Sequence, residues 1–101
     1  MVFEKLVRDK IPEIIEQDGG QAVTRVLNDE EYRACLEKKL EEEVAEYHES
    51  GELEELADVL EVVCALAQAR GHTVEELLSV CREKRDRRGG FSKKLFLIER
   101  R

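Results

Sequence analysis

Residues 40–58 read LEEEVAEYHESGELEELAD, and the placing of acids around Ser50-Gly51 in this stretch decides the fold. Glu43 and Glu46 stand three apart, as do Glu55 and Asp58, so each pair shares one face if its segment is helical. Gly51 interrupts the pattern, since it is free to take the left-handed conformation that ends a helix. Positions 46 and 55 have their midpoint at 50.5, and so do positions 43 and 58. A helical hairpin folded about that point sets Glu46 level with Glu55 and Glu43 level with Asp58. Four carboxylates then converge within the last turns of the hairpin.

The flanks extend both arms of this hairpin. Upstream, Asn28 precedes Asp-Glu-Glu31, a capping box that opens a long helix from about Asp29 to Glu49. Downstream, a second long helix runs from about Glu52 to Ala69 and ends at Gly71. At 100° per residue, Leu53, Leu56, Leu60, Val63, Cys64 and Ala67 define one broad apolar face, with Val62, Leu66 and Ala69 on another side. A helix apolar around most of its circumference is expected to be central. Thr73-Val-Glu-Glu76 caps a third helix to about Arg87, with Val74, Leu77, Leu78 and Cys81 as its expected buried residues and Gly89-Gly90 as its end. Near the start, a two-turn helix fits between Asp9 and Gly19-Gly20. Gln21 to Leu27 (QAVTRVL) and Lys94 to Ile98 (KLFLI) read as strands able to pair into a small ribbon. The expected fold is all-α, an antiparallel hairpin or bundle of about four helices with this optional ribbon, in one domain over 1–101.

Composition agrees with that class. The 101 residues include one Pro, six Gly and 5% aromatic side chains, a mixture that favours helices over sandwiches and barrels. The longest uncharged stretch in the helical region, Val62 to Ala69, is far short of the ~20 apolar residues that span a bilayer. Met1 leads into charged residues rather than the apolar core of a secretory signal, and Cys35, Cys64 and Cys81 suit neither a disulfide framework nor a zinc site. A reducing, cytoplasmic setting is the expectation. The net charge of −7 is unevenly spread: residues 29–61 hold 14 acids against 3 bases, and residues 82–101 hold 9 bases against 3 acids. One segment can hold cations and the other anions, although solvated helix faces carry such runs too.

A cluster of four acids needs compensation. Two carboxylates ~6 Å apart at an effective dielectric constant of ~20 repel by roughly 3 kcal/mol. A bound divalent cation, strongly raised pKa values, or side chains turned out to water would each relieve this. Hard oxygen ligands on rigid helices suit Mg²⁺ or Mn²⁺, which keep water ligands and accept phosphate oxygens.

The stretch Glu42-Glu43-Val-Ala-Glu46 followed by Glu55-Leu-Ala-Asp58 resembles the EExxE…ExxD signature of the all-α, MazG-like nucleotide pyrophosphohydrolase superfamily. Lys5-Leu-Val-Arg8-Asp9-Lys10-Ile-Pro12 and Arg88-Gly-Gly-Phe91 are similar to segments of its small single-domain house-cleaning branch, called phosphoribosyl-ATP pyrophosphohydrolase-like. The resemblance implies Mg²⁺-dependent cleavage of the α–β phosphoanhydride of a nucleoside triphosphate, releasing the monophosphate and pyrophosphate. It implies Glu43, Glu46, Glu55 and Asp58 as metal ligands, with Glu42 a further acid of the motif. Glu42 or Glu43 would orient or deprotonate the attacking water. Only eight residues separate Glu46 from Glu55, a short hairpin without the inserted covering loop of larger members.

A polyphosphate needs cations aimed at it. Lys84, Arg87 and Arg88 are similar to a Lys-x-x-Arg-Arg element of the third helix in that superfamily, and Arg8 and Lys10 belong to the N-terminal motif. These five are the phosphate-contact candidates. The other bases of the C-terminal tract read as solubilising charge, and His48 and His72 as ordinary surface or capping residues. No GxxxxGK phosphate loop is present, and nucleic-acid binding is disfavoured by the acidic balance and the scarcity of stacking aromatics. Two other readings stay open: a non-catalytic helical self-association module, and a phosphoribosyl-ATP pyrophosphohydrolase. All of them imply a homodimer or homotetramer, because a helix apolar on two sides cannot be covered by so short a chain.

Overall fold

The computed structural model describes residues 4–101, with α1 over Ile11–Gln17, α2 over Asp29–Ser50, α3 over Leu53–Ala69 and α4 over Val74–Arg88. The fold is all-α, as the sequence implies, and its helix ends show why. Asn28 Oδ1 accepts the Glu31 amide at 2.9 Å while Glu31 Oε1 accepts the Asn28 amide at 3.3 Å, so both expected partners of the capping box are engaged. Thr73 and Glu76 repeat the exchange at 3.1 and 3.0 Å to start α4. Each box satisfies backbone donors that a helix start otherwise leaves unpaired. Gly51 closes α2 with φ of 67° and donates its amide to the Tyr47 carbonyl at 2.7 Å. A side chain there would be strained, and this turn sets the geometry of the site.

α1 lies between Asp9 and Gly19-Gly20, where the sequence places a two-turn helix. Asp9 does not cap it; Lys10 occupies the cap position without a side-chain bond, and Pro12 sits in the first turn, where its missing N–H costs nothing.

α2 and α3 pack as the antiparallel hairpin, and α4 packs on α3 alone, so α3 is the helix that both neighbours share. Leu36 of α2 and Val62 of α3 form the buried apolar centre at 3% and 8% exposure. The rest of the apolar surface is thinly covered. Leu56 and Leu60 remain 44% and 57% exposed, and the chain extends over 61 × 32 × 22 Å. On α4 only Val74 and Leu77 are half-buried, whereas Leu78 and Cys81, expected in the core, are exposed. That helix leaves α3 after its first turns.

No strand occurs among the described residues, which corrects the expected ribbon. Val23 and Val26 are almost fully exposed, as are Leu95, Phe96, Leu97 and Ile98. Strand preference is realised through cross-strand neighbours, and neither segment has one. Instead Arg25 reaches the start of α2, where Nη1 and Nη2 donate to Glu31 at 3.2 and 2.9 Å. No helix among the described residues is long and apolar enough to cross a membrane.

Candidate metal centre

The hairpin brings together three of the four acids that the midpoint arithmetic sets at its turn. Glu43 on α2 and Glu55 and Asp58 on α3 each offer a carboxylate oxygen, and the three oxygens lie within 4.8 Å of one another. Glu43 is the unusual member: it is only 7% exposed, and its Oε2 is buried without a hydrogen-bond partner. A buried carboxylate oxygen left unpaired is costly, so this atom marks a position at which a cation fits. The donor set, three carboxylates and no nitrogen or sulfur, suits a hard divalent cation.

Glu46 stands exposed at the rim, outside the group of three, but its charge acts on both Glu43 and Glu55. Glu42 is half-buried beside the cluster rather than in it. Lys39 joins these acids, with Nζ 3.3 Å from Glu43 Oε1 and 3.6 Å from Glu42 Oε2. Lys39 is absent from the sequence-based candidates, although its i,i+4 spacing to Glu43 was a readable signal.

Of the basic candidates, Arg8 reaches the site: its Nη2 donates to Asp58 Oδ1 at 2.6 Å, across 50 residues of sequence. Lys10 is exposed ahead of α1. Lys84, Arg87 and Arg88 are exposed on the far part of α4, and no hydrogen bond or ion pair among the described residues links them to the carboxylates. His48 and His72 stay outside the cluster as expected, the first beside Tyr47 with ring centres 5.9 Å apart and the second 3.5 Å from Glu76.

Electrostatics follow the crowding. Burial pushes the Glu43 carboxyl above its ordinary range, and the charge of Glu46 adds to this against the opposing pull of Lys39. Glu55 is also raised, first by loss of water and then by Glu46, Asp58 and Glu43. Where folded carboxyls hold protons more tightly than unfolded ones, the folded state binds more protons above the unfolded value of about 4.5. The contribution of Glu43 and Glu55 to stability is thus full below that value and falls as pH rises through their raised values. Glu31 and Glu76, both lowered chiefly by hydrogen bonds, act with the opposite sign and lose their contribution as pH falls. A cation that neutralises the cluster should stabilise most when the cluster is ionised. The rise in melting temperature on adding Mg²⁺ should be larger near about pH 8 than near about pH 5, as measured by calorimetry at constant ionic strength.

Over 42 residues the chain is 57% identical to an uncharacterized protein of Mycolicibacterium smegmatis (strain ATCC 700084 / mc(2)155). The match covers 42% of this chain and 43% of that protein, so less than half of either is compared. No family model and no solved structure matches the chain.

Proposed function

We propose that this protein is a nucleotide pyrophosphohydrolase in which Glu43, Glu55 and Asp58, with Glu46 at the rim, hold Mg²⁺ or Mn²⁺ against the phosphates of a nucleoside triphosphate. The observation that carries this reading is the unpartnered, buried Oε2 of Glu43 within a group of three carboxylates. The resemblance of residues 42–58 to the MazG-like signature supports the choice of substrate. Glu43, Glu55 and Asp58 would hold the divalent cation, which would supply neutralisation of phosphate charge and activation of water at neutral pH. The chain's own residues do the rest. Glu42 or Glu43 accepts a proton from the attacking water, and Arg8, already at the cluster, offers its free guanidinium donors to a phosphate oxygen. House-cleaning of noncanonical nucleotides is the role that the resemblance suggests, and the setting is cytoplasmic.

Purified protein incubated with Mg²⁺ and a panel of nucleoside triphosphates, phosphoribosyl-ATP included, tests the reading. Release of pyrophosphate with a nucleoside monophosphate supports it. Nucleoside diphosphate with inorganic phosphate, or no turnover of any substrate, overturns it.

The protein is proposed to work as a homodimer or homotetramer, because Leu56 and Leu60 are left uncovered on α3. Sedimentation equilibrium at micromolar concentration should give a dimer or larger, and Leu56→Glu with Leu60→Glu should shift it to monomer. A well-folded wild-type monomer would defeat this expectation.

The basic end of α4 carries the remaining phosphate-contact candidates, which form no ion pair with the cluster among the described residues. Lys84 and Arg88 lie four apart and leave one face of the helix together, whereas Arg87 departs about 100° away. Lys84→Ala and Arg88→Ala should each lower kcat/KM by at least about tenfold, or ~1.4 kcal/mol of transition-state stabilisation. Arg101→Ala, a similar charge change at the chain's end, should not. Equal losses in all three would mean bulk attraction rather than specific contact.

A further inference from the structure

We propose that Lys39 is a positioning residue of the carboxylate cluster, holding one oxygen of Glu43 and so fixing how that carboxylate sits beside Glu55 and Asp58. The inference rests on the divalent-cation reading above and adds the group that orients its most buried ligand.

The geometry separates the two oxygens of one carboxylate. Oε1 of Glu43 is engaged by Lys39 Nζ at 3.3 Å, whereas Oε2 is buried and unpartnered. The last torsion of a glutamate side chain is broad, so a carboxylate with no fixed partner has no preferred way to face. An ammonium on one oxygen removes that freedom. Lys39 is placed to act this way, because its side chain is only 20% exposed and its three donors can serve Glu43 and Glu42, 3.6 Å away, together.

Helix stabilisation alone explains Lys39 poorly. A lysine that precedes its glutamate is the less favourable order of an i,i+4 pair, because it sets the charges against the helix dipole. Burying the lysine also costs side-chain freedom, which an exposed position would not. The segment of residues 29–61 has two other bases, Arg33 and Lys38, and both are exposed and without an ion pair among the described residues. Of the three, the half-buried one is the one at the cluster. Partners that orient metal ligands in this manner typically govern affinity by 10–100-fold.

The test is a calorimetric titration of the full-length protein with Mn²⁺, comparing wild type, Lys39→Met, Lys39→Arg and Lys38→Met, with the melting curve of each variant recorded without metal. Lys39→Met should bind Mn²⁺ at least about tenfold more weakly. Lys39→Arg, which keeps a cation on Glu43, should recover most of that loss, and Lys38→Met should bind as wild type does. Should Lys39→Met fail to fold, Lys39→Gln is judged by the same criterion. Unchanged binding by Lys39→Met overturns the inference. So does tighter binding, which would show the ammonium competing with the cation. Equal losses in Lys39→Met and Lys39→Arg, with lowered melting temperatures, would make the role structural and overturn it as well. In each of these cases wild type and Lys38→Met still bind Mn²⁺, so the metal reading survives; a folded wild type that binds no Mn²⁺ overturns both.

Discussion

Glu43→Gln should abolish divalent-cation binding and at the same time raise the melting temperature of the metal-free protein. The two effects have one cause. Glu43 is the most buried member of the acid cluster, and it is loss of water, which the ammonium of Lys39 does not make good, that penalises its charge, with Glu46 adding to this. Removing its charge relieves a burial cost of the order of 1–2 kcal/mol, after the lost attraction of Lys39 is set against it. The new amide can donate to the neighbouring carboxylates, so the substitution does not leave a buried donor unpaired. In a domain of this size each kcal/mol moves the melting temperature by about 4–8 °C. Loss of metal binding through general unfolding would lower that temperature, so a single pair of measurements tells the two apart. A Glu43→Gln protein that melts earlier and still binds Mn²⁺ would remove Glu43 from the site.

Asp58→Asn carries the largest expected effect on turnover, a fall in kcat of about a thousandfold or more, equivalent to ~4 kcal/mol of lost transition-state stabilisation. An amide oxygen is a weaker partner for a hard cation, and its NH₂ group faces the guanidinium of Arg8 as donor against donor. Stability should change little. The Arg8–Asp58 pair is more than a third exposed on each side, and pairs of that kind contribute roughly 0–1 kcal/mol. A steady-state assay alongside thermal melts checks both statements. Full activity in Asp58→Asn would remove it from the ligand set, while a large loss of stability would make the kinetic result uninterpretable as a ligand effect and would contradict the exposed pairing. Arg8→Ala offers a graded comparison: it should act mainly on substrate affinity, leaving Mn²⁺ binding in place.

Much of the hairpin was legible because the information is local. Capping boxes at Asn28 and Thr73 and the glycine at position 51 mark helix ends through residues three or four apart, and the acids are spaced symmetrically about that glycine. Once the turn is placed, the meeting of Glu43 with Asp58 follows from helix geometry. Burial was less legible. That Glu43 sinks inward while Glu46 stays at the rim depends on how deeply α3 seats against α2 near Leu36 and Val62, which spacing does not specify. Contacts between distant segments were hidden altogether: the Arg8–Asp58 pair spans 50 residues, and no periodicity announces it. The two strand-like segments misled for a physical reason, since β-branched and aromatic residues favour a strand only where another strand is within reach. On α4, the apolar pattern of Leu78 and Cys81 promised burial that a single chain has no surface to supply.

The claim that the acidic turn of this hairpin is a divalent-cation site is tested most directly by Mn²⁺ electron paramagnetic resonance on the wild-type protein and Glu43→Gln. Free Mn²⁺ gives a sharp signal that is lost on binding. The wild type should deplete that signal in a saturable manner that excess Mg²⁺ reverses, and Glu43→Gln should leave it intact. Equal depletion by both proteins, or none by either, would contradict the account.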